Sequence, residues 1–201
     1  IYVDIDSPAF RLIPIAICDF ITSPGVPAEW DISLPEHIKK DLAMTGLFNV
    51  LNPKGFLEDS TFRTALTADK IRFADWTAVG ADYLLKGSLL KKDDAIIVEG
   101  FLFDVVRGEQ IFHKKYRTDT AHLKAVSRAL ASDILLALIN DEGDFNTRVA
   151  FVSKAGSKSD IHLIGYDGED LKKITNHQSI VISPRWSPDG QYMAFTSYKD
   201  G

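Results

Sequence analysis

Histidine and cysteine are the side chains of this sequence best suited to acid–base chemistry or to zinc binding. The five histidines are scattered along the chain, at His37, His113, His122, His162 and His177. A zinc site needs three or four ligands at short, characteristic spacings, and none of the histidines stands at such a spacing from the single Cys18. The sequence therefore predicts surface or strand histidines rather than metal ligands.

Acidic residues form two pairs and one short cluster that could hold a cation or act as acid and base. They are Asp4 and Asp6, Asp93 and Asp94, and Asp141, Glu142 and Asp144. Pairs on alternating strands and in turns usually face solvent, and the cluster lacks the oxygen-rich spacing of an EF-hand loop. The chain contains no G-x-S-x-G, P-loop, G-x-G-x-x-G or H-E-x-x-H motif. We therefore predict a protein that is not an enzyme, with no catalytic or metal-binding residues and no cofactor.

Charge and hydropathy restrict the possible partners. A net charge of −5 argues against nucleic-acid binding, which usually requires a basic face. No apolar run approaches the roughly 18 residues of a membrane-spanning helix, so direct membrane insertion is not expected. A single cysteine excludes an internal disulfide, and its position beside the apolar run 13–17 predicts a buried structural thiol.

Alternating apolar residues, interrupted by turn residues, predict the strands. In the first part of the chain strands are expected at 2–6, 11–17, 48–51, 82–90, 96–106 and 110–117. Turns at Asp93-Asp94 and Arg107-Gly108 join the last three, which predicts an antiparallel meander. Pro14 places the second strand near an edge or a bulge, and residues 22–27 are expected to form a loop.

Three segments show helical spacing. Ser33 and Glu36 form a capping box that predicts the start of the first helix, with Pro35 in its first turn. Gly46 is expected to end this helix, whose buried stripe comprises Leu34, Ile38 and Leu42. A brief helix is expected at 72–79. The third helix is long and amphipathic and ends near residue 140, with apolar residues at Leu123, Val126, Leu130, Ile134 and Leu138.

A polar, glycine-containing stretch at 141–144 is the predicted domain boundary. Residues 1–141 are predicted to form an α/β domain, a mixed sheet with helices. Residues 142–201 are predicted to contain strands alone. These strands are expected at 148–153, 160–166, 171–175 and 191–197, with hairpin turns at Asp167-Gly168 and Asp189-Gly190.

A weak internal repeat lies in this second part. Residues 150–153 (A-F-V-S) return at 194–197 as A-F-T-S, 44 residues later, which is the spacing expected of one propeller blade. The intervening W-S-P-D-G at 186–190 resembles the repeat of the TolB family and of related WD40-like propellers. Trp186 would then fill space between blades, whereas the alternative is an ordinary hairpin with an Asp-Gly turn. Because a propeller needs typically four or more blades, the resemblance implies the start of a truncated β-propeller, about one blade.

The resemblance to the TolB family extends over the whole chain. Residues 1–7 are similar to the family's mature start. The segment 41–48 is similar to its "DL..SG.F" signature with Thr45 in place of serine, and 76–82 to its "W..LG.D" segment with Val79 in place of leucine. Residues 148–152 match the "RIAYV" that opens the propeller.

This resemblance implies a periplasmic protein-binding scaffold of the Tol-Pal cell-envelope system. Such proteins support outer-membrane integrity and cell division, and imported toxins such as colicins exploit them. The implied partners are TolA and the lipoprotein Pal, with Pal bound by the propeller. The implied TolA contact comprises Ile1, Tyr2, Val3, Asp4, Ile5, Asp6 and Ser7. A periplasmic location also implies that a signal peptide has been removed before Ile1.

Several alternatives stay open. Residues 1–7 could instead form an edge strand of their own domain. The chain could be a fragment of a propeller-containing peptidase that lacks its catalytic domain, because similar propellers precede α/β-hydrolase domains. Nucleic-acid binding by the α/β domain would require a salt-dependent affinity. Unpaired propeller strands after Arg148 also predict a concentration-dependent dimer.

Overall fold

The structure, a computed structural model, describes residues 11–56 and 64–200. The chain divides into two compact units, Ile1–Gly143 and Asp144–Gly201. The strand predicted at residues 2–6 lies outside the described residues.

The described part of the first unit is a mixed sheet with helices. Its elements are β1 (Ile13–Ile17), β2 (Ile21–Thr22), α1 (Trp30–Met44), β3 (Phe48–Val50), α2 (Phe73–Ala78), β4 (Tyr83–Lys92), β5 (Ala95–Asp104), β6 (Glu109–Thr118) and α3 (Leu123–Ile139). The strands lie in the order β3-β1-β4-β5-β6, and β2 also pairs with β4. β1 is parallel to β3 and β4, whereas β5 is antiparallel to β4 and β6. The predicted mixed sheet with helices is therefore confirmed.

The strands β4, β5 and β6 form the predicted antiparallel meander. Their bounds lie within two residues of those expected from the sequence. Asp93 and Gly108 turn the chain with φ angles of 55° and 69°. Aspartate and glycine adopt this left-handed region more readily than most residues. A register shift between Leu102 and Phe103 marks a bulge between β5 and β6.

Different groups cover the two faces of the sheet, because successive residues of a strand point to opposite sides. Gly100 of β5 faces α3, since a Cβ added there would lie 2.8 Å from Cδ1 of Leu130. The next residue, Phe101, faces the other side and belongs to an apolar cluster with Trp76 of α2. α1 packs against α3, and its predicted stripe is fully buried, comprising Leu34, Ile38 and Leu42.

The start of α1 differs from the prediction. The helix begins at Trp30, so Ser33 lies inside it and the predicted capping box is wrong. Pro35 also lies inside the helix rather than in its first turn. Proline has no N–H to donate to the carbonyl four residues earlier, and the carbonyl of Asp31 instead accepts a hydrogen bond of 2.9 Å from the N–H of Phe20.

The predictions for Gly46, after α1, and for Cys18, after β1, have different outcomes. Gly46 follows α1 with a φ of 70°, the conformation expected of a glycine after a helix end. Cys18 is half-buried rather than buried, so that prediction is wrong. Its side chain packs at the margin of the Trp76 cluster, because β1 ends one residue earlier, at Ile17.

The second unit consists of strands and turns. Its strands are β7 (Arg148–Ala155), β8 (Lys158–Gly165), β9 (Lys172–Lys173), β10 (Val181–Trp186) and β11 (Met193–Ser197). They form a three-stranded sheet β7-β8-β9 and a two-stranded sheet β10-β11. The described part of this unit contains strands and turns, as predicted. Neither of its sheets closes into a ring, so the propeller remains a prediction.

Three details of the second unit were not expected from the sequence. β7 and β8 are longer than predicted, and Gly156, with a φ of 62°, turns the chain between them. β9 covers only two of the five residues predicted for it. β10 was not predicted, because Pro184 interrupts its pattern and its pairing with β11 shifts register between Ile182 and Arg185.

Candidate protein-binding surfaces

The predicted partner-binding segment, Ile1–Ser7, lies outside the described residues. The guanidinium of Arg11, four residues after this segment, lies 3.6 Å from the carboxylate of Asp82. The N–H of Ile13 donates to the carbonyl of Leu47 at 2.8 Å. The chain that follows the segment is therefore fixed to the sheet at the start of β1, between β3 and β4.

A polar cluster centred on Glu99 crosses the three strands of the meander. Its carboxylate accepts a hydrogen bond from Ser88 Oγ (3.1 Å) and contacts Lys115 Nζ (2.6 Å) and His113 Nε2 (3.4 Å). The His113 ring stacks on Phe101 with centroids 4.1 Å apart. The Glu99 side chain is 13% exposed. Partial burial raises the pKa of Glu99, but hydrogen bonds from Lys115 and Ser88 outweigh it and hold this pKa below its ordinary value.

The Glu99 cluster contains serine, histidine and a carboxylate, but not in the arrangement of a hydrolase. An activated serine donates its proton to histidine, which a carboxylate orients from the other side. Here the carboxylate lies between the two, and the Ser88 hydroxyl donates to Glu99. This arrangement directs the Ser88 hydroxyl toward the carboxylate as a hydrogen-bond donor and links β4, β5 and β6.

A second polar contact joins β6 to α3 on the opposite face of the sheet. The hydroxyl of Tyr116 donates a short hydrogen bond to the Asp133 carboxylate, and Lys114 Nζ lies 3.2 Å from the same group. Burial, together with the hydrogen bond to Asp133, raises the pKa of Tyr116 above its ordinary value. The tyrosine therefore stays neutral and serves as a hydrogen-bond donor.

A groove of about 620 Å³ lies where β6 ends and α3 begins. Its lining includes the apolar side chains of Ala95 and Val126, with Arg117 and Asp119 among its charged residues. His122 Nδ1 lies 2.7 Å from Asp119 Oδ1. The backbone N–H of Ala121 and then the His122 contact lower the pKa of Asp119. We call this cavity the α3 groove.

The histidines singled out from the sequence have separate surroundings, and Asp4 and Asp6 lie outside the described residues. His113 and His122 each contact one carboxylate, His162 stacks on Phe151, and His177 contacts Ser197 Oγ at 2.6 Å. Within 11–56 and 64–200, no three histidine, cysteine, aspartate or glutamate side chains are grouped closely enough to hold a metal ion. Over the same ranges, no helix is long and apolar enough to cross a membrane.

The W-S-P-D-G segment forms the hairpin turn between β10 and β11. Gly190, with a φ of 67°, donates its N–H to the carbonyl of Ser187 at 2.9 Å. The Ser187 hydroxyl accepts from the N–H of Tyr192 (2.9 Å) and donates to Asp189 Oδ1 (2.5 Å). The bond from Ser187, followed by that from the N–H of Gln191, lowers the pKa of Asp189. The motif therefore has a structural role in closing the turn.

The family follows from comparison with known proteins. The profile of the TolB amino-terminal domain matches residues 1–111. The chain belongs to the TolB family. The Tol-Pal system protein TolB of Syntrophus aciditrophicus is 38% identical over the whole of this chain and 46% of its own length. The protein of the same name from Anaeromyxobacter dehalogenans is 32% identical over 98% of this chain and 45% of its own length.

The fold is also that of a solved TolB structure. The crystal structure of TolB from Acinetobacter baumannii matches 94% of this chain with a TM-score of 0.78, at 22% identity. The match covers 45% of that protein. The chain thus spans about half the length of the TolB relatives it matches.

The Glu99 cluster and the α3 groove were not predicted from the sequence. Both depend on strand register, which places Glu99 opposite Lys115 and Val98 opposite Tyr116. The alternation of side chains in the predicted meander was a signal that could have been used to place Glu99 and Lys115 on the same face of the sheet. The contact between Tyr116 and Asp133 had no comparable sequence signal, because it depends on where α3 crosses the sheet.

Proposed function

We propose that this chain is a periplasmic protein-binding scaffold of the Tol-Pal system, and not an enzyme. The observation that carries the proposal is its 38% identity, over its whole length, to a Tol-Pal system protein. Support for outer-membrane integrity, cell division and the import of toxins such as colicins are parts of the same proposal. The use of the Ser88 hydroxyl to bind Glu99 is consistent with a structural role for the cluster.

We further propose that residues 144–201 begin a WD40-like propeller whose complete form binds Pal. The repeated A-F-x-S falls on β7 and β11, the strand that starts the unit and the strand that follows the W-S-P-D-G turn. Trp186 is 38% exposed, which leaves its ring available to a neighbouring blade. Most of the Pal surface would then lie on blades beyond this segment.

TolA is the proposed partner of Ile1–Ser7. The segment alternates apolar and acidic residues, a pattern that suits a strand added to the edge of a partner's sheet. Main-chain hydrogen bonds would supply most of the affinity, and the apolar side chains would determine the register in which the added strand pairs. Val3 and Ile5 would share one face of the added strand, and Asp4 and Asp6 the other.

Calorimetric titration of the periplasmic C-terminal domain of TolA, from the same organism, into this chain tests the assignment. The titration is run with residues 1–7 present and deleted, and with Val3→Pro and Asp4→Asn in the intact chain. Proline removes a main-chain donor, whereas asparagine changes only a side chain. We expect binding that deletion abolishes, that Val3→Pro weakens and that Asp4→Asn changes less.

Each other outcome contradicts a different part of the proposal. Binding that survives the deletion would move the TolA site elsewhere and keep the scaffold function. Absence of binding to both forms would remove the TolA assignment altogether.

A further inference from the structure

Among the described residues, 11–56 and 64–200, β6 is the last strand of its sheet and no strand pairs with its outer side. It pairs with β5 on one side, and the sheet order ends with it. His113, Lys114, Lys115 and Arg117 are all exposed. The main-chain groups on the side away from β5 can therefore accept an added strand.

The register shows which main-chain groups these are. The turn between β4 and β5 has two residues, so the pair that flanks it, Lys92 and Ala95, is hydrogen-bonded. Along an antiparallel strand, the N–H and C=O groups of successive residues point alternately to the two neighbouring strands. Ala95 therefore bonds to β4, and the next residue, Ile96, bonds to its partner Thr118 on β6. The neighbour of Thr118, Arg117, therefore directs its N–H and C=O away from β5, as do Lys115 and His113.

The same three residues place their side chains on one face. Lys115 and His113 reach Glu99, on the face opposite α3. Arg117 follows at the same period of two. In this row Lys115, 62% exposed, contacts Glu99, and Arg117 adds a further cation, while Lys114, on the other face, lies near Asp133. We call the outer side of residues 112–118, with this row, the β6 edge.

The α3 groove lies at the end of the β6 edge. Its lining includes Arg117 and Thr118 of β6 and Ala125 and Val126 of α3, with the carboxylates of Asp94 and Asp119 at other points. The bulge at Leu102/Phe103 interrupts the pairing of β5 with β6 just before Phe112. Residues 112–118 of β6 are therefore regularly paired, and this part of the strand ends at the groove. A strand added to this part would place one of its side chains near the apolar lining.

We propose that the β6 edge binds an extended, acidic segment of a partner protein. The segment adds a strand through the main chain of His113, Lys115 and Arg117. Its carboxylates face Lys115 and Arg117, and one apolar side chain enters the α3 groove. The residues of this surface are other than Ile1–Ser7, so it would give the proposed scaffold a second protein-binding site.

A synthetic nine-residue peptide of alternating glutamate and valine, labelled with fluorescein, tests the proposal by fluorescence anisotropy on the 201-residue chain. A peptide of alternating lysine and valine is the matched control. We expect saturable binding of the acidic peptide only. This binding should survive deletion of residues 1–7, so its outcome is independent of the TolA assignment.

Variants at one position separate the main chain from the side chain. Arg117→Ala removes the cation and keeps the N–H, whereas Arg117→Pro also removes the outward N–H and leaves the ladder with β5 intact. We expect Arg117→Ala to weaken binding several-fold and Arg117→Pro to weaken it by a further factor of about five, since one hydrogen bond contributes about 1 kcal/mol. Ala125→Trp should also weaken binding, because it fills the groove. Lys70→Glu, an exposed site on another segment, should leave binding nearly unchanged.

The variants must first show a wild-type circular dichroism spectrum and urea midpoint. Equal affinity of Arg117→Ala and Arg117→Pro would overturn strand addition. Equal binding of the acidic and the basic peptide would overturn the assigned charge. If neither peptide binds, the cations of β6 serve only to keep the edge unpaired, and the proposal is wrong.

Discussion

The ring of Phe20 lies directly over Gly87, so closely that a Cβ added to the glycine would be 2.2 Å from Cε2 of the ring. Phe20 is 3% exposed, and its N–H is fixed by the carbonyl of Asp31 in α1. The ring therefore has little freedom to move away. The close approach of the Phe20 ring to β4 depends on the missing side chain of Gly87.

Replacing Gly87 with alanine should destabilise the first unit by about 1–3 kcal/mol, the usual cost of overpacking a core. Phe20→Ala should cost about 3–5 kcal/mol by leaving a cavity. The double variant should be more stable than the sum of the two changes predicts, because it removes the clash. Urea unfolding followed by Trp30 and Trp76 fluorescence, in a Trp186→Phe background, measures all three.

Gly55→Ala is the control for an added methyl group, since a Cβ built at that glycine meets no atom within 4 Å among the described residues, its chain neighbours aside. We expect it to change the unfolding free energy by no more than about 0.5 kcal/mol. Strict additivity of Gly87→Ala and Phe20→Ala would contradict the proposed contact.

Glu99→Gln should destabilise the meander by about 1–3 kcal/mol at neutral pH, because it removes the ionised acceptor of Ser88 and Lys115. The pKa of Glu99 is lower in the folded chain than its ordinary value. Its stabilisation is therefore complete above the unfolded pKa of about 4.3 and is lost as the pH falls through the folded pKa. The difference in unfolding free energy between wild type and variant should accordingly shrink below about pH 4.

Glu36→Gln is a control of the same chemical type. Glu36 pairs with Lys39 at 2.8 Å, but its side chain is 59% exposed. Exposed pairs contribute at most about 1 kcal/mol, so we expect a small effect. An effect of Glu99→Gln that is the same at pH 3 and pH 7 would refute the ionic contribution.

Ser159→Ala should loosen the second unit, because this side chain joins its two sheets. The buried hydroxyl donates to the carbonyl of Val181 at 2.7 Å and accepts from the N–H of Val181 at 2.8 Å. Alanine leaves both main-chain groups without these partners, at about 1–3 kcal/mol for each that stays unsatisfied. Hydrogen exchange in β8 and β10, followed by mass spectrometry, should accelerate.

Ser153→Ala is the matched control on β7, where the serine is exposed. Its exchange should stay close to that of the wild type. Similar acceleration by both variants would show that the Ser159 contact is not specific.

Self-association through the second unit is a further prediction. β7 is an edge strand with the apolar side chains of Val149, Phe151 and Val152 exposed, and such edges tend to pair between molecules. We expect a dimer that increases with concentration in sedimentation equilibrium and that Phe151→Lys weakens. Val106→Lys, at an exposed valine of the first unit, should leave it unchanged. A chain that stays monomeric at every concentration would refute the dimer.

Local sequence rules predicted most of the first unit. Period-two alternation and two turn dipeptides sufficed for the meander, because each strand pairs with the next along the chain. The start of α1 could not be predicted in this way. Glu29 takes a φ of 78°, rare for its residue type, and burial of Trp30 adds a turn before the capping box.

The second unit and the polar contacts were harder to predict for related reasons. In β10, Ser183 takes a φ of 57° and Pro184 follows, so the alternation on which a strand prediction depends is lost. The contact of Glu99 with Lys115 requires the register of two strands, and that of Tyr116 with Asp133 requires the position of a helix. The spacing of residues along the chain predicts neither the strand register nor the position of the helix.

The position of β1 affects the order in which the first unit folds. β1 pairs with β3, with Ile13 opposite Phe48, and with the more distant β4, with Ile15 opposite Tyr83. Until both pairings form, the apolar strand Ile13–Ile17 lacks part of its cover. Such distant pairings fold slowly compared with helices and hairpins. Insertion of β1 between β3 and β4 should therefore set the folding rate of the first unit and the length of time for which its unfolded chain can aggregate.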